Sequence, residues 1–258
     1  MHLNLRVRYL VISKMKKLIP PALKLQVKLL QRHLADLSSG RSSKFTSFNQ
    51  ISDEEKHLFK PQITLSQAIQ PTQYSENKKH NLNLAIKRIQ DVAIKPGEIF
   101  SFWHLVGKPD WAKGYREGRS LVGNQLKAEL GGGLCQLSGL LYFLTLKAGL
   151  TTLERHSHSQ DIYTEATRFA PLGSDATVVY GYKDLRFQNN LEFPLCFRFC
   201  VEEAEISAVL CSPQPIPEYT VEFKVEEFNG GAKVDTVRLV HQTKNFEVLN
   251  STIYKKLK

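Results

Sequence analysis

The chain has 258 residues, 42% of them hydrophobic, a net charge of +10 and four cysteines. That composition is globular rather than disordered or fibrous, and it can bury one substantial core with a small appended unit. Four cysteines are too few to staple a chain of this size, so Cys135, Cys196, Cys200 and Cys211 read as thiols in apolar surroundings. Cys196 and Cys200 are too far apart for a zinc pair and have no second pair to match, so neither a metal nor another cofactor is expected.

The charge is uneven. Residues 1–44 hold ten Lys or Arg against the single acid Asp36, a balance of +9, and the other 214 residues hold 25 bases against 24 acids, a balance of +1. A basic arm on a neutral body is drawn to an anionic membrane surface or an anionic wall polymer, in a salt-dependent way. The bland alternative is a solvated helix face without a partner. No nucleic acid is expected, because no recognisable DNA- or RNA-binding motif accompanies the arm. Leu3 to Ile12 is too short, and too interrupted by Arg6 and Arg8, to span a bilayer, and no apolar run precedes a small-residue cleavage site. By sequence the protein is expected to be cytoplasmic or membrane-peripheral.

In chain order, residues 1–37 predict basic helix broken at Pro20-Pro21, with Leu23, Val27, Leu30, Leu34 and Leu37 at helical spacing beside Lys24, Lys28 and Arg32. Residues 38–50 are a polar linker. A strand and turn are expected over 58–76. A helix capped by Asn81 follows, ended by Lys95-Pro96-Gly97, and then a short aromatic strand from Glu98 to Trp103. Tyr115 to Asn124 reads as a polar loop. The run from Cys135 to Lys147 is apolar nearly all the way round, which predicts a buried helix stopped by Gly149. Thr151 to His158 and Asp175 to Tyr182 read as strands, the second turning at Lys183-Asp184 into a partner at Leu185 to Asn189. Further strand pairs are expected at 193–201 with 205–211 and at 219–228 with 233–242, joined by a stiff Pro213, Pro215, Pro217 spacer. The domain division is therefore 1–44, 45–213 and 214–258, the last a β-hairpin extension packed on the domain. The fold class is α+β, a cysteine-bearing central helix followed by antiparallel sheet.

The chemistry centres on Gly131-Gly132-Gly133-Leu134-Cys135-Gln136. The glycines allow a sharp turn and a close approach, and Cys135 falls at a helix start. There, free N–H groups and the positive end of the macrodipole favour thiolate, the attacking form. Backbone N–H groups of Gly133, Leu134 and Gln136 would form an oxyanion hole. The competing reading is a small buried hydrophobe at a core helix end. In a strand, Glu154, His156 and His158 share one face and Arg155 and Ser157 the other, so either histidine can serve as acid/base. Asp175 can orient the ring, or simply make a turn with Gly173-Ser174, and Asp184 is a weaker candidate for the same role. Ser138 and Arg155 are further secondary candidates. Arg116, Arg119 and Tyr142 are candidates for substrate binding, the arginines through a carboxylate. The order of cysteine, then histidine, resembles papain-like and transglutaminase-like enzymes.

An ordered set of motifs carries a family resemblance: Lys95-Pro96-Gly97-Glu98-Ile99-Phe100-Ser101-Phe102, Gly107, Gly114-Tyr115, Gly131 to Ser138, Leu141-Tyr142, Gly149-Leu150, Arg155 to His158, Gly173 to Val178 and Asp184 to Asn190. Together these resemble the VanW family over roughly residues 81 to 213. The family accompanies some vancomycin-resistance gene clusters, and some members are associated with L,D-transpeptidation of peptidoglycan through a cysteine nucleophile. The resemblance implies Cys135 as nucleophile and favours His158 over His156. It also implies peptidoglycan peptide stems as substrate, cleaved before a terminal D-Ala by transpeptidation or, with water as acceptor, by carboxypeptidase action. The alternative is a non-catalytic accessory module that binds peptidoglycan or a partner. Family function would place it in the cell envelope.

Overall fold

The protein is described by a computed structural model covering residues 20–122, 125–158, 160–161, 168, 170–240 and 245–256. The chain divides into two compact units after Ser43.

In the first unit, helix α1 (Pro21–Ser38) opens on a proline at its first position, where the fixed φ suits a helix and no N–H is lost. Its stripe Leu23, Val27, Leu30, Leu34 and Leu37 is exposed, between 46% and 58% per residue. Among the described residues no helix is long and apolar enough to cross a membrane.

The second unit mixes helices with small, mostly antiparallel sheets. In order come β1 (Lys60–Ala68), α2 (Ser75–Ile89), β2 (Ile99–Ser101), α3 (Phe102–Val106), β3 (Glu117–Val122), β4 (Gln125–Leu130) and α4 (Leu134–Lys147). Then follow β5 (Thr151–Glu154), β6 (Gln160–Asp161), β7 (Arg186–Gln188), β8 (Cys196–Val201), β9 (Glu205–Ser212), β10 (Val221–Phe228), β11 (Gly231–Val240) and β12 (Asn245–Lys256). Three sheets run β1-β9-β8, β2-β7-β5 and β10-β11-β12-β6, and β3-β4 is a separate hairpin. Among the described strands only the short β6 lies parallel to its neighbour, β12.

Helix α4 is the axis of the core. Its residues are apolar on every side, so burial rather than amphipathicity stabilises it: Leu137, Leu140, Leu141 and Leu144 have no exposed surface. It packs on α2, β1, β5 and β9. Beside it Phe100 and Phe187 stack at 4.6 Å, with Phe197 edge-on to both.

Several expected elements differ. Helix α2 starts six residues before Asn81, which lies buried mid-helix instead of capping it. The Asn81 amide donates to the carbonyls of Arg116 and Gly132 at 2.8 and 3.0 Å, and its oxygen accepts from Arg116 N–H at 2.8 Å. A side chain that can satisfy three backbone groups at once has more to gain in the core than at a cap. The aromatic strand ends at Ser101, whose hydroxyl caps α3, and Trp103 falls inside that helix. The polar loop at 115–124 is largely strand β3, because β4 supplies its partner. Residues 175–182 form no strand: Val179 bridges Lys183 around a tight turn, and β7 pairs with β2 and β5. The proline segment is tied down rather than a free spacer, with Ile216 N–H on Gln62 and Tyr219 N–H on the Lys147 carbonyl. Strand β12 has no counterpart in the sequence reading.

The three glycines before α4 explain how close the turn can come. A Cβ on Gly132 would sit 2.1 Å from the Gly118 carbonyl carbon, so turn and hairpin touch backbone to backbone. Gly133, at φ +103°, would drive a Cβ to 2.6 Å from Lys78 Cγ. Asn81 staples this turn to α2. Asn81→Ala should therefore lower the unfolding free energy in urea by about 2 to 4 kcal/mol, since it orphans buried backbone groups. A loss near zero would show that the Gly132 turn holds itself.

Candidate active site

Cys135 stands in the first turn of α4, half-buried, at the foot of a cleft of about 140 Å³ that His158, Asp175 and Tyr254 also line. Its sulfur lies 3.8 Å from the Val178 carbonyl. Beyond Glu154 the chain leaves its sheet, so the strand alternation no longer holds. Arg155 and His158, expected on opposite faces, both reach Asp175. The backbone bond from Thr177 N–H to the His156 carbonyl, 2.6 Å, lays the 155–158 segment alongside 174–178.

Asp175 is saturated with donors. Oδ2 accepts from His158 N–H at 2.6 Å and from His158 Nδ1 at 2.7 Å. Oδ1 accepts from Arg155 Nη2 at 2.9 Å and from the Tyr254 hydroxyl. A carboxylate only accepts, so Nδ1 carries the proton and the far ring nitrogen is not engaged by Asp175, while the Cys135 thiol lines the same cleft. Burial alone would raise the Asp175 carboxyl, but the His158 bond and the Arg155 charge hold it well below the usual carboxylate range. Burial alone would lower His158, but its bond to Asp175 and the nearby Cys135 push it up to about 10. Burial likewise opposes thiolate, yet the nearby His158 brings the Cys135 thiol below its ordinary value. The electrostatics favour a thiolate–imidazolium pair, the state in which sulfur attacks carbonyl carbon. The Cys135 N–H has no backbone acceptor among the described residues. The Gln136 N–H, by contrast, is already bonded to Gly133 O at 3.0 Å, and Leu134 N–H approaches Gly131 O at 3.4 Å. Of the turn's amides, those of Gly133 and Cys135 have no backbone acceptor among the described residues, which leaves them as the donors open to an oxyanion.

Other candidates take other places. His156 pairs with Glu154 at 3.0 Å and does not line the cleft. Asp184 is buried as a structural hub, accepting from Ser101 Oγ at 2.6 Å, Trp103 N–H at 3.1 Å and Arg186 Nε at 2.9 Å. Ser138 donates to the Ala176 carbonyl at 2.6 Å, fixing the segment after Asp175 against α4. Tyr142 is 1% exposed, so it cannot meet a substrate; its ring lies 5.1 Å beneath the Arg155 guanidinium. Arg119 lines the cleft and Arg116 does not. Three residues were invisible to the sequence reading. Tyr254 and Thr252 come from β12, and both bond Arg155, which together with Tyr254 secures Asp175. Lys78 comes from α2 and lies across Gly133. Nothing in a tyrosine 79 positions from its aspartate announces the contact.

A cysteine and an aspartate-held imidazole line one cleft of a protein that mixes helices with mostly antiparallel sheets. Residues 77–211, more than half of the chain, match the family described as VanW like protein, and the chain belongs to that family. It is 34% identical over 149 residues to the vancomycin B-type resistance protein VanW of Enterococcus faecalis, covering 57% of this chain and 54% of that protein. It is also 36% identical over 124 residues to the uncharacterized protein YoaR of Bacillus subtilis, covering 48% and 39% respectively. The chain thus spans about half the length of one relative and about two fifths of the other. No solved structure matches it.

Iodoacetamide should alkylate Cys135 with a midpoint below that of an ordinary thiol, and the rate should inflect again near pH 10 as His158 loses its proton. In His158→Ala the first midpoint should move above 9, because burial stays and the counter-charge goes. An unmoved midpoint would dissolve the pair. Tyr254→Phe removes one donor from Asp175 while keeping the ring; the carboxylate stays ionised near pH 10 and accepts more strongly from His158, so the inflection should stay at or above its wild-type position. A fall would show that Tyr254 is needed to keep Asp175 in place.

Proposed function

We propose that the protein is a cysteine acyltransferase of the cell wall that acts on peptidoglycan peptide stems, as an L,D-transpeptidase or, with water as acceptor, a carboxypeptidase. The observation that carries this reading is that Cys135, His158 and Asp175 line one cleft, with His158 Nδ1 held 2.7 Å from Asp175. Membership of the VanW-like family and the name of the Enterococcus relative support the substrate class and a link to glycopeptide resistance. The order of cysteine on a helix start, then imidazole, then an orienting side chain resembles that of papain-like and transglutaminase-like enzymes, and we propose that the architecture shares it.

In the first half-reaction the Cys135 thiolate attacks the carbonyl carbon of the stem peptide bond. The His158 imidazolium gives its proton to the departing amine as the C–N bond breaks, leaving a thioester. In the second, an amine of a neighbouring stem attacks the thioester and passes a proton to His158, and the thiolate leaves with a new amide formed. Water in place of the amine yields a free acid. The backbone N–H of Cys135 steadies the oxyanion in both steps. The exposed apolar stripe of α1, flanked by Lys24, Lys28 and Arg32, supports an anionic membrane surface or wall polymer as partner for residues 1–44.

Pure protein incubated with disaccharide-tetrapeptide muropeptides should release D-Ala and add an acyl mass to the protein, both read by mass spectrometry. Cys135→Ala should abolish the adduct, and His158→Ala should slow turnover about 10²- to 10⁴-fold. Products identical in wild type and Cys135→Ala would remove the enzyme.

A further inference from the structure

We propose that Cys196 and Cys211 are a redox pair that closes into a cross-strand disulfide, stapling β8 to β9, when the protein meets a disulfide oxidant. The two positions stand directly opposite each other in the antiparallel ladder. In such a pair the Cα atoms lie about 4.5 to 5.5 Å apart, within the span of about 4.4 to 6.8 Å that a disulfide bridges, and both side chains project from the same face. The bond needs side-chain rotation rather than a new backbone path.

The face decides how the sulfurs are reached. Along β8 and β9 the alternation sends Phe197, Ala208 and Leu210 into the main core, and Cys196 and Cys211 to the other side of the sheet. Both thiols are fully buried there, but in a small separate cluster whose other buried members are Ile51 and Phe59. Those two residues end a surface segment of which residues 52–55, 57 and 58 are exposed. Arg198 ties the segment down: its guanidinium donates to the Lys56 and Phe59 carbonyls at 2.9 and 3.2 Å and to Asp91 Oδ1 at 2.8 Å. A satellite cluster under a surface segment opens at less cost than the core behind it, so an oxidant reaches the pair without unfolding the surroundings of α4.

The pair is set apart from the other thiols. Cys135 lies in the cleft, and the exposed Cys200 stands opposite Ser207, so of the four cysteines only these two face each other across a ladder. They are also chemically unequal. The Cys196 thiol and the Arg198 charge bring Cys211 below its ordinary value although burial opposes this, while Cys211 and burial together raise Cys196. Cys211 therefore attacks first: its thiolate bonds to one sulfur of the oxidant disulfide and expels the other as a thiolate. Cys196 then gives up its proton and attacks the Cys211 sulfur, expelling the second thiolate. Two protein thiols and one disulfide become one protein disulfide and two free thiols.

Full-length protein is equilibrated with glutathione buffers from fully reduced to fully oxidised, added either to folded protein or during refolding from urea. It is then quenched in acid, alkylated in denaturant and mapped by mass spectrometry. A peptide joining Cys196 to Cys211, lighter by two hydrogens than the dithiol pair, should accumulate with oxidation, with Cys135 and Cys200 outside it. The oxidised form should melt roughly 5 to 10 °C above the reduced form, since the bond restricts the unfolded chain. In Cys211→Ala that redox-dependent shift should vanish. The mapping is done on wild type and so asks nothing of a variant's folding. Both cysteines fully alkylated at every glutathione ratio in both conditions, or bridges that join either of them to Cys135 or Cys200, overturn the proposal. A bridge that leaves the melting temperature unchanged overturns the staple.

Discussion

One carboxylate holds the site together. Asp175 accepts from a backbone N–H, an imidazole, a guanidinium and a phenol, and those donors come from two distant parts of the chain, 155–158 and β12. A partly buried anion is costly unless its lone pairs are met, and here four donors meet them. Having done so, the same anion fixes the tautomer of His158 and steadies its positive form, which in turn draws the Cys135 proton away. Remove the saturation and the imidazolium, then the thiolate, lose their support in sequence.

The position of Cys135 depends on a second constraint, which is steric. The Gly132 backbone lies against Gly118, and Asn81 ties both the turn and Arg116 to α2. The turn that delivers Cys135 is thereby clamped between hairpin and helix, while the helix behind it is anchored by burial on all sides. Precision at the sulfur comes from backbone contact and a buried amide, not from loop chemistry.

The strand β12 lies outside residues 77–211, yet it gives Tyr254 to Asp175 and both Tyr254 and Thr252 to Arg155. Arg155 also stacks over Tyr142 of α4. The C-terminal sheet is thus structurally part of the site and not an ornament on it. The tyrosine read from sequence as a substrate contact turns out to support this arginine from below.

The sequence by itself determined the cysteine-bearing helix, the strands at 196–212, the β10–β11 hairpin, the family, and Cys135, His158 and Asp175 as the residues worth following. Those are local signals: a glycine turn before an apolar run, period-two alternation about a turn, and an ordered set of motifs. Only the tertiary structure gave His156 and His158 different partners, Glu154 for one and Asp175 for the other. It alone moved Asn81 from a helix cap to a core staple, made Asp184 a structural hub, and brought Lys78 and Tyr254 to the cleft. Each of those assignments is a contact between residues far apart in the chain, and propensity and periodicity describe only what a residue does with its near neighbours.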